Sequence, residues 1–102
     1  MPREPTTVDA YVIETLLPDL VGHDARPSAF IVYLYLWAHC AASGSGTVTA
    51  SYPHIAEETG LSPRAVQMAV RHLVTRRLLA TTRSTSTTTT TYRVLRPWLR
   101  RR

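Results

Sequence analysis

Residues 62–77 read SPRAVQMAVRHLVTRR, and this stretch sets the reading of everything around it. The hydroxyl of Ser62 can accept a bond from a backbone N–H that a helix start leaves unpaired. Pro63 then takes the first helical position, where a missing N–H costs nothing. At about 100° per residue, Ala65, Val66, Ala69, Val70 and Leu73 gather on one side. Arg64, Gln67, Met68, Arg71 and Thr75 gather on the other. The first face requires a core. The second offers guanidinium and amide groups with no carboxylate among them, a set that matches phosphate oxygens and base edges in a DNA major groove. A surface helix whose polar side is merely solvated shows the same periodicity, so the neighbouring segments decide.

Directly upstream, Thr59, Gly60 and Leu61 read as a tight turn in which Gly60 supplies a positive φ. Before that turn, Ser51 caps a short helix that runs to Thr59, with Ile55 and Ala56 facing inward. Residues 47–50 alternate Thr with apolar residues, as a short strand does. Residues 28–42 predict the other strong helix, with Phe30, Tyr33, Leu34, Trp37 and Ala41 on one face. The reverse face carries Val32, Tyr35 and Leu36, with only His39 polar. A helix apolar nearly all round is covered on both sides. It is either the central helix of the core or a homodimer interface formed by residues 30–40, from Phe30 to Cys40.

Further out the pattern is plainer at one end than at the other. Residues 1–7 are proline-rich and read as an extended arm. Residues 10–13 read as a short strand and residues 14–21 as a short helix, in which Pro18 is tolerable near the first turn. Residues 22–27 form a loop. Beyond Arg77 the period changes to runs of β-branched Thr, which favour extended structure. Residues 79–83 and 90–95 read as antiparallel strands joined at 84–89. Arg96, Pro97, Trp98 and Leu99 then make an apolar anchor before Arg100, Arg101 and Arg102.

The run VTASYPHIAEETGLSPRAVQMAVRHLVTRRLL resembles the winged helix-turn-helix domains of bacterial transcription regulators and replication-initiator-type proteins. The likeness lies in Ile55-Ala56, in Thr59-Gly60-Leu61-Ser62, in Val66, Val70 and Leu73, and in Arg77-Leu78-Leu79. It covers about half the chain. The fold it implies is mainly α with a small β-hairpin wing. Residues 1–27 would be an N-terminal arm and short helix, 28–95 the winged helix domain, and 96–102 a basic tail.

The resemblance further implies that Pro63, Arg64, Gln67, Met68 and Arg71 occupy the groove-facing side of a recognition helix. The chemistry agrees: Gln can bond adenine bidentately and Arg can bond guanine, each worth ~1–3 kcal/mol of discrimination. The N-terminus at Ser62 can meet a phosphate, as can the hydroxyls of Ser51 and Tyr52. A wing carrying Arg83 and Arg93 would lie along the backbone or in the minor groove, adding affinity rather than base selection. The sequence departs from the family at the wing tip, which is neutral Ser and Thr where family wings often carry a base. Arg100, Arg101 and Arg102 either supply that charge or form a solvated tail.

Composition fits a double-stranded DNA partner. All seven acidic residues precede residue 59, where the only bases are Arg3 and Arg26, giving 2 − 7 = −5. From residue 59 onward there are ten Arg and no acid, giving +10. Such polarity favours a polyanion; an acidic protein partner docking on the basic half is the alternative reading. The 102 residues make one domain, and two Trp, five Tyr and one Phe support a folded one.

A single cysteine, Cys40, permits no intramolecular disulfide and reads as an inert buried thiol. Residues 1–9 hold no apolar run, so no signal peptide is expected. The apolar stretch at 29–42 falls short of the ~20 residues of a membrane span, and a cytoplasmic location follows as the expectation. His23, His39, His54 and His72 have no metal-ligand spacing with one another or with Cys40. Glu57 and Glu58 lack a nucleophile or Gly-rich loop to work with and read as a solvated helix face. No enzyme, cofactor or small-molecule substrate is expected.

Overall fold

The computed structural model describes residues 4–83 and 89–99. Of the expected wing connection at 84–89, residues 84–88 lie outside the described residues, as do the terminal Arg100, Arg101 and Arg102.

Two π-helical segments, π1 (Val12–Leu16) and π2 (Pro18–His23), precede three α-helices, α1 (Pro27–Ala42), α2 (Tyr52–Thr59) and α3 (Pro63–Thr75). Three short strands complete the fold: β1 (Val48–Ala50), β2 (Leu79–Arg83) and β3 (Thr90–Val94). The strands make one antiparallel sheet in the order β1-β3-β2. The hairpin is therefore present as the sequence predicts, and β1 closes it on the free edge of β3, with Val48 opposite Tyr92 and Ala50 opposite Thr90. The whole is a mainly helical fold with a small sheet, the winged helix-turn-helix arrangement.

One expectation is corrected. Residues 10–13 form no strand: residues 10–23 are helical throughout, wound mostly as π-helix. The β-branched pair Val12 and Ile13 carried the strand reading, but burial overrides propensity. Val12, Leu16 and Leu20, spaced by four, are all buried on one face, while Ile13 is half exposed. Pro18 explains the loose winding. A tight α-turn would drive its ring into the carbonyl of Glu14. The wider π-turn relieves that clash, and the N–H of Asp24 reaches back to the carbonyl of Asp19.

Helix α1 is the centre of the core. Ala29, Phe30, Val32, Tyr33, Leu36, Trp37 and Cys40 are buried on it, and π2, α2, α3, β1 and β3 all pack against it. Its apolar circumference is thus spent within the chain. Among its large apolar residues only Ile31 is exposed, and Phe30, Tyr33 and Trp37 are buried within the chain. Two polar tips on this helix find backbone partners. The Tyr33 hydroxyl donates to the carbonyl of Leu95 at 2.9 Å and the Trp37 indole donates to the carbonyl of Thr7 at 2.9 Å.

The two ends of the described chain meet beside α1. Arg96 grips the Asp9 carboxylate through Nε at 3.0 Å and Nη2 at 2.7 Å, and the Trp98 indole donates to the same carboxylate at 3.0 Å. The Trp98 ring stacks on Tyr11 at 4.5 Å between centroids. Residues 96–99 are thus folded against the N-terminal segment. Arg96 holds the Asp9 carboxyl below the usual carboxylate range.

Candidate nucleic-acid interface

The helix-turn-helix is built from local chemistry. Ser51 takes extended backbone geometry and its hydroxyl accepts the N–H of His54 at 3.2 Å, starting α2. At the end of α2, Gly60 turns left-handed with φ +84°, a conformation that costs other residues about 1–2 kcal/mol. Two residues later Ser62 repeats the cap, accepting the N–H of Ala65 at 3.0 Å, and Pro63 opens α3. Both helices begin and end where their capping residues dictate.

Helix α3 divides as its periodicity requires. Val66, Ala69, Val70 and Leu73 are buried and bind it to α1, α2 and β2. Pro63, Arg64, Gln67, Met68 and Arg71 are exposed along the opposite side. Arg64 and Arg71 lie two turns apart, about 10 Å along the axis, with Gln67 and Met68 between them. The stripe is therefore one continuous surface of two guanidiniums, one amide and one thioether.

Ser51 and Tyr52 stand half-buried at the start of α2, and Ser62 is exposed at the start of α3. Both Ser oxygens already accept a backbone N–H of their own helix, leaving each hydroxyl proton free to donate. The two arginines of the hairpin part company. Side chains alternate across a strand, and Arg83 lies opposite Thr90 while Arg93 lies opposite Ala80. Arg83 consequently shares the face of Tyr92 and Leu79, beyond the edge of the core, whereas Arg93 shares the outer face with Thr49 and Thr91. The structure does not bring Arg83 and Arg93 into one site.

The charge asymmetry is only partly cancelled inside the fold. Arg96 is taken up by Asp9. Arg76, at the end of α3, donates through Nη2 to Asp19 at 2.7 Å and through Nη1 to Asp24. By contrast Arg64, Arg71, Arg77, Arg83 and Arg93 are all exposed, and among the described residues none has a carboxylate at ion-pair distance. What remains on the surface of the second half is therefore positive.

Sequence reasoning missed the cluster that seats α3. His72 Nε2 lies 2.7 Å from Asp24 Oδ2, and Arg76 shares the same carboxylate oxygen. His72, then His23, then Arg76 hold the Asp24 carboxyl down at about 2. An ionised carboxylate only accepts, so Nε2 of His72 carries the proton. The partners are 48 and 52 residues apart, and no local period announces such a pair. Asp19, His23 and Asp24 also bring one ligand atom each within 4.8 Å of one another, although Arg76 and His72 already occupy both carboxylates. His54 turns to Glu58 of its own helix, with Nε2 3.6 Å from Oε1. Cys40 is buried, its thiol 3.6 Å from the carbonyl of Tyr92, and burial pushes its pKa up. Among the described residues no helix is long and apolar enough to cross a membrane.

A family model described as a helix-turn-helix domain matches residues 26–79, from the residue before α1 to the first residue of β2. No curated protein and no solved structure gives a match.

Proposed function

The chain belongs to the helix-turn-helix domain family, and on that footing we propose that it binds double-stranded DNA and reads its sequence through α3. The single observation that carries this reading is the exposed stripe of Pro63, Arg64, Gln67, Met68 and Arg71 on a helix whose other side is fixed in the core. A rigidly seated helix of this kind is what a major groove admits, about 12 Å wide in B-DNA. Gln67 supplies a base-edge donor and acceptor, and Arg64 and Arg71 meet base or phosphate. Ser51, Tyr52 and Ser62 donate hydroxyl protons to the backbone. Arg83 reaches a flanking phosphate from the hairpin. Arg93, on the outer face of the sheet, contributes long-range attraction more than contact. The protein acts in the cytoplasm of a bacterial cell as a transcriptional regulator or in replication.

The test is titration of a labelled mixed-sequence duplex, followed by anisotropy at several salt concentrations. Neutralising several phosphates gives an affinity that falls steeply with salt. Absence of binding at low salt would refute the assignment.

A further inference from the structure

Arg26 is the one described base in the acidic first half of the chain. It joins Met68, Arg71, His72 and Thr75 of α3 around a surface depression of about 350 Å³. We propose that Arg26, Arg71 and Thr75 form a phosphodiester notch beside the groove-facing stripe, gripping the DNA backbone next to the bases that α3 reads. This rests on the DNA-binding reading above and adds to it a contact from outside the helix-turn-helix.

Three observations carry it. First, two guanidiniums border one depression, and among the described residues neither has a carboxylate partner. Asp24, the nearest acid in sequence, is committed to His72, His23 and Arg76, and Asp19 is committed to Arg76. Like charges brought together repel, and a bound phosphate oxygen reverses the sign of that energy. Second, Arg26 is held in place before any ligand arrives. Its N–H donates to the carbonyl of Leu20 at 2.8 Å and its carbonyl accepts the N–H of Ala29 at 3.0 Å. Two residues earlier, Asp24 pins the loop to α3. The intervening Ala25 holds a left-handed φ of +55°, which turns the chain sharply between that anchor and Arg26. Third, the donors suit a backbone phosphate. Each guanidinium offers a planar fork, Thr75 offers a hydroxyl, and the Met68 thioether is an apolar wall of the sort that meets a sugar. Arg71 is four residues beyond Gln67, about 6 Å along the axis, so a phosphate in the notch lies beside the base Gln67 faces.

The deciding experiment measures the salt dependence of duplex binding for the wild-type chain and for Arg26→Ala, Arg26→Lys and Arg71→Ala, with thermal melting confirming that each is folded. Loss of one phosphate contact lowers the slope of log affinity against log salt by about 0.9. Arg26→Ala should show that change, with equal loss on preferred and scrambled duplexes, while Arg26→Lys should keep most of the slope. An unchanged slope in Arg26→Ala, with Arg71→Ala still weakened, overturns the notch and leaves the DNA-binding reading intact. No duplex binding by the wild type overturns both. Equal competition by millimolar inorganic phosphate against wild type and Arg26→Ala would also overturn it, since a free ion held at the notch must depend on Arg26.

Discussion

His72 Nε2 and Asp24 Oδ2 stand 2.7 Å apart, joining the last turn of α3 to the loop that leads into α1. With Arg76 on the same oxygen, this carboxylate sets the angle at which α3 is presented. Orientation of the exposed stripe is thus tied to an acid 39 residues before α3 begins, by 63 − 24, in a part of the chain with no role in base contact.

Replacing that acid, Asp24→Asn, should lower stability at neutral pH by about 1.5–3 kcal/mol, the range for hydrogen bonds to charged groups. Urea unfolding followed by circular dichroism measures it. The carboxyl is depressed from 3.8 to about 2. Its stabilising contribution is therefore complete above its unfolded pKa and is lost as pH falls from about 4 to about 2. The wild type should lose stability across that window and the Asn variant should lose less. Parallel acid-unfolding profiles would contradict the assignment.

Within the stripe Arg71 and Gln67 should separate by function. Arg71→Ala should weaken binding to every duplex, since it removes a charge that faces phosphate in the notch. Gln67→Ala should change base preference more than total affinity, by about 1–3 kcal/mol between the preferred base and its competitors. Competition with single-base variants of a preferred duplex measures this. Intact selectivity in Gln67→Ala would mean that this side of α3 does not face bases.

Arg77 occupies a position made for glycine. Its φ is +60°, and around it the N–H of Arg77 bonds the carbonyl of Val74 while that of Leu78 bonds the carbonyl of Leu73, the helix-ending pattern in which Gly is favoured. The left-handed geometry costs about 1–2 kcal/mol, partly offset by the entropy Gly loses on folding. Arg77→Gly should therefore raise stability by about 0.5–1 kcal/mol, read as a higher melting temperature. A lower one would show that the Arg77 side chain is held by something beyond its backbone.

Trp98 joins the C-terminal segment to the N-terminal one, through its stack on Tyr11 and its bond to Asp9. Trp98→Ala should cost about 2–3 kcal/mol, from a half-buried aromatic and a lost charge-assisted bond. The near-ultraviolet circular dichroism of Trp37, whose ring lies 6.4 Å from that of Trp98, should change with it. An unchanged spectrum and stability would mean the segment does not dock.

The helix-turn-helix was legible because its signals are local. Ser51, Gly60, Ser62 and Pro63 act within three residues of themselves, and the buried positions of α3 repeat with the helical period. The hairpin itself followed from Thr-rich strands returning on Tyr92 and Val94. The N-terminal segment was misread because Val12 and Ile13 favour strand locally, while the four-residue spacing of Val12, Leu16 and Leu20 acts only once α1 is present to bury it. The Asp24–His72–Arg76 cluster, the Asp9 clasp and the place of Arg26 beside Arg71 join residues far apart in sequence. Even where both arginines of the wing were named, their opposite faces depend on the strand register, which a run of Thr does not set.

Selection of bound sequences from a random duplex pool, at low and at moderate salt, decides whether α3 reads DNA sequence. Salt-sensitive binding with enrichment of a short site is expected, with loss of that enrichment in Gln67→Ala. Salt-sensitive retention of the whole pool without enrichment would contradict sequence reading by α3. No retention at low salt would contradict DNA binding itself, and the exposed arginines would then belong to an acidic protein partner.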